Sequence, residues 1–178
     1  GTGNVISGNG VNGIQLTCLT TRFTTIQGNM IGTDISGSIP IPNTRTGVLI
    51  SEASVSDVGG FGANIPAGRN IISGNGTDGI RIEASAFANV VSGNYIGVAL
   101  DGLTAMGNGG NGVSLTTGAT NNTVGGNQLN AGNVIAYNVR NGVALAPDAG
   151  TGNNIDPNTI TRNAMRGITL NETADEGD

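Results

Sequence analysis

The fold of this chain is decided by a short pattern that is clearest in residues 70–94, which read NIISGNGTDGIRIEASAFANVVSGN. Two copies of N-x-[IV]-x-G-N, at residues 70–75 and 89–94, flank one copy of G-[IV]-x-[LI] at residues 79–82. Each copy holds a three- or four-residue apolar, polar, apolar run, which is the period of a short β-strand. Gly and Asn bracket every run, and both residues tolerate the left-handed backbone of a sharp corner. The stretch therefore predicts short strands separated by corners.

Both motifs recur along the chain. The first motif lies at residues 4–9, 70–75 and 89–94, with looser copies at 24–29, 122–127, 133–138 and 153–158. The second motif lies at residues 13–16, 47–50, 79–82, 112–115, 142–145 and 167–170. No run of ten or more residues with a 3.6-residue period separates the strands, which disfavours crossover helices and a doubly wound sheet. We therefore predict an all-β fold, a single-stranded parallel β-helix (solenoid) of about six to eight coils over residues 1–170.

A longer period is superimposed on these motifs. The copy that begins at Asn4 returns at Asn70 and, weakened, at Asn133, so the chain contains long repeated units that start at these three residues. Within these units, residues 31–43 and 96–108 align without a gap, so chance similarity is implausible. We expect each unit to contain three coils of about 22 residues, a length within the range that is usual for solenoid repeats.

The pattern also predicts a core and a polar column. Inward aliphatic side chains from successive coils stack and bury a continuous core that no coil could bury alone. The expected core residues are Ile6, Ile14, Leu16, Ile26, Val48, Ile50, Ile72, Ile80, Ile82, Val91, Val113, Leu115, Ile135, Val143, Leu145, Ile168 and Leu170. Asn side chains at corresponding corners can hydrogen-bond to one another as a ladder. The expected ladder residues are Asn9, Asn29, Asn43, Asn75, Asn94, Asn108, Asn138 and Asn163.

Composition excludes several functional classes. The 178 residues include 32 Gly but no Trp or His, and only 3% are aromatic, so a core built on large aromatic anchors is not expected. With no His and one Cys, the usual zinc sites and every His-based triad are excluded. The net charge of −5 argues against a nucleic-acid partner. No apolar window is long enough to predict a membrane span.

The repeats resemble those of a known superfamily. The motifs N-V-I-S-G-N at residues 4–9, G-I-x-L at 13–16 and G-N-x-I-G-T-D-x-x-G at 28–37 resemble the parallel β-helix repeats of the pectin-lyase-like superfamily. The similarity is greatest to the Asn/Gly-rich arrays of bacterial secreted and surface proteins, and it covers nearly the whole chain. The resemblance implies a right-handed helix and an extracellular or cell-surface location. It also implies relatives that range from polysaccharide lyases, glycoside hydrolases and epimerases to non-catalytic adhesive stalks, among which fold does not choose.

Candidate catalytic residues are sparse. Hydrolysis of a polysaccharide requires two carboxylates about 5 to 9.5 Å apart, and the best pair is Asp78 with Glu83, on either side of the strand Gly79–Ile82. Arg81 should point outward between them, so an exposed Arg–Glu ion pair on a solvated strand face is the favoured interpretation. We therefore predict no catalytic residues and no cofactor, and an enzyme is the less favoured alternative.

Three further features have a structural interpretation and a functional one. Residues 74–79 and 109–115 weakly resemble a calcium-binding β-helix repeat, but one Asp per turn is too few ligands, so no metal site is predicted. Glycosylation sequons begin at Asn75, Asn121 and Asn171, as chance allows in so Asn-rich a chain. Cys18 is expected to be a small buried side chain, because no His is present to activate it.

The ends lead to three functional hypotheses. Neither end shows a cap, residues 171–178 read as an acidic tail or linker, and the chain starts at Gly1 without a signal peptide. We therefore expect a segment or processed product of a longer array, or a subunit whose ends are covered by its neighbours. The preferred hypothesis is a non-catalytic structural or adhesive segment of a bacterial extracellular or cell-surface protein. The alternatives are a filament or sheath subunit that stacks head to tail, and a polysaccharide-binding or polysaccharide-degrading protein. The expected partners are neighbouring repeats or identical subunits end to end, with surface glycans as candidate ligands.

Overall fold

The computed structural model describes residues 3–62 and 68–171, and these residues form seventeen short β-strands. In chain order the strands are β1 Val5–Ile6, β2 Ile14–Leu16, β3 Thr25–Ile26, β4 Met30–Ile31, β5 Val48–Ser51, β6 Asp57–Gly59, β7 Ile71–Ile72, β8 Ile80–Glu83, β9 Val90–Ser92, β10 Tyr95–Ile96, β11 Val113–Leu115, β12 Thr123–Val124, β13 Val134–Ala136, β14 Val143–Leu145, β15 Asn154–Ile155, β16 Thr159–Thr161 and β17 Ile168–Leu170.

The strands form three parallel sheets that run the length of a rod. Sheet 1 has the order β1-β4-β7-β10-β13-β16, sheet 2 has β2-β5-β8-β11-β14-β17, and sheet 3 has β3-β6-β9-β12-β15. Each coil contributes one strand to each sheet in turn, and the sixth coil contributes β16 and β17. The predicted parallel β-helix is therefore confirmed, with a coil count at the lower end of the predicted range. At about 4.8 Å per coil, six coils make a rod roughly 30 Å long.

The expected coil length was wrong. In sheet 1, Val5 pairs with Met30, Met30 with Ile71, Ile71 with Tyr95, and Tyr95 with Val134. The separation in sequence between equivalent asparagines just before these strands is 25, then 41, then 24, then 39. Each repeated unit therefore contains one short and one long coil rather than three equal ones. Where the structure describes them, the additional residues of coils 2 and 4 lie in loops outside the three sheets.

Columns of aliphatic side chains form the core. In sheet 1 six isoleucines stack in register, and β-branched or leucine columns line sheets 2 and 3. Fifteen of the expected core residues belong to this buried or partly buried cluster. Ile168 and Leu170 do not, with 47% and 63% of their surface exposed, because no further coil packs over β17 within the described residues. The core residues that the motifs missed are Ile31, Ala53, Val58, Ala86, Ile96, Ala119 and Val124.

The corner asparagines form two long ladders instead of the single one expected. One precedes sheet 1 and contains Asn4, Asn29, Asn70, Asn94, Asn133 and Asn158. The other follows sheet 1 and contains Asn9, Asn43, Asn75, Asn108, Asn138 and Asn163. At each step Nδ2 donates to the Oδ1 of the next coil, 2.8 to 3.1 Å away. A third, shorter ladder of Asn89, Asn122 and Asn153 precedes sheet 3. The ladders satisfy buried amides that would otherwise destabilise the rod.

The two motif glycines serve different purposes. Gly74, in N-x-[IV]-x-G-N, has φ of +71°, the left-handed corner that the sequence predicts. Gly79, in G-[IV]-x-[LI], is required instead for close packing, because a Cβ there would lie 2.7 Å from the Gly112 carbonyl oxygen and 2.8 Å from the Ile96 side chain. The first five copies of the second motif therefore mark where a coil packs against the isoleucine of the next coil.

Candidate functional site

Two loops with the same hydrogen-bond pattern project from the long coils. We call residues 32–42 the first arm and residues 97–107 the second arm. In the first arm Asp34 N donates to Ile39 O at 2.9 Å, and in the second Ala99 N donates to Thr104 O at 2.9 Å. Each arm closes with an antiparallel bridge, Thr33 with Pro40 and Val98 with Ala105. The ungapped sequence match therefore corresponds to two equivalent hairpins, two coils apart.

Each arm folds back over the outer face of sheet 1. Gly37 of the first arm packs on Met30, since a Cβ at this glycine would lie 3.2 Å from the Met30 sulfur. Gly102 of the second arm packs on the Tyr95 ring, with a Cβ position 2.7 Å from ring carbon Cζ. The arms are joined directly, because Leu100 N donates to Gly37 O at 2.9 Å. The arms therefore build one surface from residues of coils 2 and 4.

A groove lies between this surface and the outer face of sheet 1. Its volume is about 380 Å³. The lining residues are Gly3, Val5, Gly28, Met30, Ile35, Arg69, Ile71 and Leu100. Ile71 is buried at its base, whereas Ile35 is 80% and Leu100 49% exposed on the arms. Gly3 and Gly28 contribute backbone atoms only, so polar backbone and aliphatic side chains both line the groove, whose size is typical of small-molecule sites.

Arg69 is the only charged side chain among the described residues that line the groove. Its Nε donates to Gly93 O at 3.1 Å, and its guanidinium carbon lies 3.9 Å from the centre of the Tyr95 ring. These contacts fix the half-buried side chain against the coil wall. Within residues 3–62 and 68–171 both ion pairs belong to Arg81, so no carboxylate of this part of the chain neutralises Arg69. The groove thus combines aliphatic walls with one oriented, uncompensated positive charge.

The carboxylate pair proposed from the sequence lies on a different face, at sheet 2. Ile80 and Ile82 are fully buried, so Arg81 points outward as expected. Its Nε lies 2.7 Å from Glu83 Oε2, and its Nη1 lies 3.8 Å from Asp78 Oδ2. The guanidinium therefore holds both carboxylates. This arrangement matches the ion pair on a strand face rather than an acid and a nucleophile arranged around a sugar.

Asp78 has a structural environment of its own. It is 7% exposed, and its Oδ1 accepts a hydrogen bond from the backbone N–H of Asn111 at 2.8 Å. Burial raises the pKa of the Asp78 carboxyl, while the Asn111 hydrogen bond and the charges of Arg81 and Arg140 oppose that shift. In the corresponding position of coils 1 and 5, Asn12 accepts a hydrogen bond from Thr46 N, and Asn141 accepts one from Arg166 N. Asp78 therefore occupies a position that amide side chains fill elsewhere in the rod.

The two stretches considered for calcium do lie on adjacent coils. Gly110 N donates to Thr77 O at 2.9 Å, which brings residues 74–79 beside residues 109–115. The carboxylate in these two stretches is that of Asp78, which already accepts the Asn111 N–H and pairs with Arg81. Across residues 3–62 and 68–171, no group of three or more His, Cys, Asp or Glu side chains could hold a metal ion.

The aspartates of the arms stabilise the arm turns. The Asp34 carboxylate accepts hydrogen bonds from Ser36 Oγ and from the backbone N–H groups of Ser38 and Ile39. These bonds, with that from Ile39 the largest contribution, lower the pKa of Asp34 to about 2. Asp101, two residues later in the second arm, accepts hydrogen bonds from Thr104 Oγ1 and from the backbone N–H groups of Leu103 and Thr104, which lower the pKa of its carboxyl. Both carboxylates therefore act within their own hairpins.

Cys18, the sequons and the acidic tail are the remaining features that the sequence singled out. The prediction that Cys18 is buried was wrong: it lies exposed in a turn with φ of +88°, because the chain leaves sheet 2 just before it. A hydrogen bond from Thr20 lowers the pKa of its thiol. Asn75, the first sequon residue, is only 2% exposed within its ladder, whereas Asn121 and Asn171 are exposed. The acidic tail was predicted for residues 171–178, of which residues 172–178 lie outside the described residues.

The sequence contained one indication of the groove. The ungapped repeat of residues 31–43 at 96–108 marked the arms, but the direction in which they fold depends on Met30 and Tyr95, which precede them. Arg69 comes from a third, non-repeated segment, so no motif connects it to the arms.

In comparisons with known proteins, no family model matches the sequence, and no curated protein and no solved structure gives a significant match. Within the described residues, no helix is long and apolar enough to cross a membrane.

Proposed function

We propose that this chain is a non-catalytic structural and adhesive β-helix segment of a bacterial extracellular or cell-surface protein, similar to pectin-lyase-like repeat arrays. The observation that carries the proposal is the continuity of the asparagine ladders through all six coils. Every step of these ladders stabilises the rod, because each amide is bonded to the next coil. The buried hydrogen bonds of the fold therefore serve to hold successive coils rigidly together.

The disposition of the acids supports the same proposal. Asp34 and Asp101 cap the arm turns, Asp78 and Glu83 share Arg81, and Asp148 accepts a hydrogen bond from Thr116 Oγ1. A glycosidase needs a protonated acid and a second carboxylate facing one reaction centre. The engaged acids supply stability to turns and strands, which favours a scaffold that presents its lateral surface.

A combined activity and assembly assay tests this proposal. The purified chain should release no reducing ends and no unsaturated sugars from neutral or acidic polysaccharides, while it remains a single rod in light scattering and negative-stain electron microscopy. Measurable cleavage that is lost in Glu83→Gln would overturn the proposal in favour of a polysaccharide-degrading enzyme. Concentration-dependent filaments would instead favour head-to-tail self-assembly.

A further inference from the structure

The geometry points to a second property of the chain: the groove between the arms and sheet 1 binds a linear aliphatic carboxylate, with Arg69 holding the carboxylate. This inference concerns a small-molecule site and does not depend on the scaffold function proposed above. Its basis is the juxtaposition of one uncompensated guanidinium with aliphatic side chains from two arms and the sheet between them.

The aliphatic side chains that line the groove favour a ligand with an alkyl chain. Val5, Met30, Ile35, Ile71 and Leu100 provide its side-chain surface, and three of these five are substantially exposed. An alkyl chain laid along them removes apolar surface from water on both partners. The arms hold this surface open, because Gly37 and Leu100 are hydrogen-bonded to each other across the two hairpins.

Arg69 selects an anion. The Nε of Arg69 donates to Gly93 O, and the guanidinium stacks on the Tyr95 ring. The two terminal nitrogens of the guanidinium therefore have no hydrogen-bond partner among the described residues. A guanidinium binds a carboxylate through two parallel N–H donors. Because stacking on Tyr95 and the bond to Gly93 already fix the side chain, little conformational entropy is lost when an anion binds.

A sugar fits this groove poorly. Pyranose rings require hydrogen-bond partners for several hydroxyls, and Arg69 is the one polar side chain that the described residues contribute to the lining. The nearest aromatic ring, Tyr95, is covered by Arg69 on a face and by Gly102 at its hydroxyl end. The groove therefore differs in chemistry from a glycan site and favours a fatty-acid anion.

The test uses dodecanoate, with dodecan-1-ol and dodecylammonium as probes of the same chain length. Isothermal titration should rank dodecanoate above the alcohol and the alcohol above the amine. Arg69→Gln should weaken dodecanoate binding about tenfold and leave the alcohol unchanged, since it removes one charge-assisted contact. Arg69→Lys should retain part of the preference for dodecanoate. Arg162→Gln is the matched control, because Arg162 contacts the Tyr137 ring outside the groove.

Methyl spectra locate the ligand independently. In ¹³C-methyl NMR, dodecanoate should shift the Met30, Ile35 and Leu100 methyls and leave Leu19 unchanged. Ile35→Asp, at a site that is 80% exposed and therefore tolerant, should weaken the acid and the alcohol together. Equal dodecanoate affinity in the parent chain and Arg69→Gln, shifts confined to Leu19, or no binding up to about 1 mM would each overturn the inference.

Discussion

Replacement of Asn94 by Ala should destabilise the rod far more than replacement of an exposed asparagine. Asn94 is fully buried at the middle of the ladder that precedes sheet 1. Its Oδ1 accepts from the backbone N–H and from Nδ2 of Asn70, and its Nδ2 donates to Val58 O at 2.8 Å and to Asn133 Oδ1 at 3.1 Å. Ala removes all four bonds and leaves the partner groups buried away from solvent.

The magnitude follows from those four bonds. Each buried hydrogen bond contributes about 0.5–1.5 kcal/mol net, and an orphaned buried group costs about 1–3 kcal/mol. Asn133 Oδ1 still accepts the Asn94 backbone N–H at 2.9 Å, and Asn70 Nδ2 still donates to Ile26 O at 2.8 Å, so the group left without its partner is mainly the backbone N–H of Asn70. We therefore expect Asn94→Ala to lower the free energy of unfolding by about 3–5 kcal/mol.

Urea unfolding followed by far-ultraviolet circular dichroism measures this loss. Asn127→Ala is the matched control, because Asn127 is exposed and its side chain makes no hydrogen bond to the described residues, and it should change stability by less than about 0.5 kcal/mol. If both variants lose the same stability, buried ladders do not hold the coils together, and that reasoning is refuted.

Three further changes test other parts of the structure. Ile80→Ala should cost about 2–5 kcal/mol by calorimetry, and Ile168→Ala, in the same column but 47% exposed, clearly less; equal costs would contradict the core assignment. Gly97→Ala should lower the melting temperature strongly, since φ is +84° and a Cβ would clash with Ala136 O, whereas Gly10→Ala, with open space around it, should not. Asp78→Asn should raise the melting temperature at pH 7, because burial raises the pKa of Asp78 and ionisation therefore opposes folding above that pKa; the gain should vanish as the pH falls towards 3.8, and a gain independent of pH would contradict this account.

The motifs predict the fold but not the coil length, and the reason is physical. Each of the six described coils carries one copy of G-[IV]-x-[LI] at its sheet 2 strand, so the number of copies equals the number of described coils. A division of each repeated unit into equal coils overlooked the arms, which consume residues without adding a strand to any sheet. Apolar alternation cannot separate an arm residue such as Ile39 from a strand residue such as Ile50.

The groove could not be predicted from the sequence, for a different reason. Val5, Arg69 and Leu100 are brought together only by the register of coils 1 to 4 and by the way the arms fold over Met30 and Tyr95. Asp78 and Glu83 flank Arg81 in the sequence and neutralise it, whereas nothing in the local pattern around Arg69 indicates that this side chain lines a groove without a neutralising acid from the described chain. The sequence identified Asn70 and Asn133 only as the first residues of motif copies. The structure shows that both are fully buried, unlike the exposed asparagines elsewhere in the described chain.

The most direct test of the stacked-coil account is hydrogen exchange of side-chain amides in ¹⁵N-labelled protein. The Nδ2 protons of Asn70, Asn94 and Asn133 should persist after transfer to D₂O long after those of Asn127 have exchanged, since the former are donated to the next coil and to buried carbonyls. Exchange of all four at the same rapid rate would contradict the ladders and the continuous rod that they hold together.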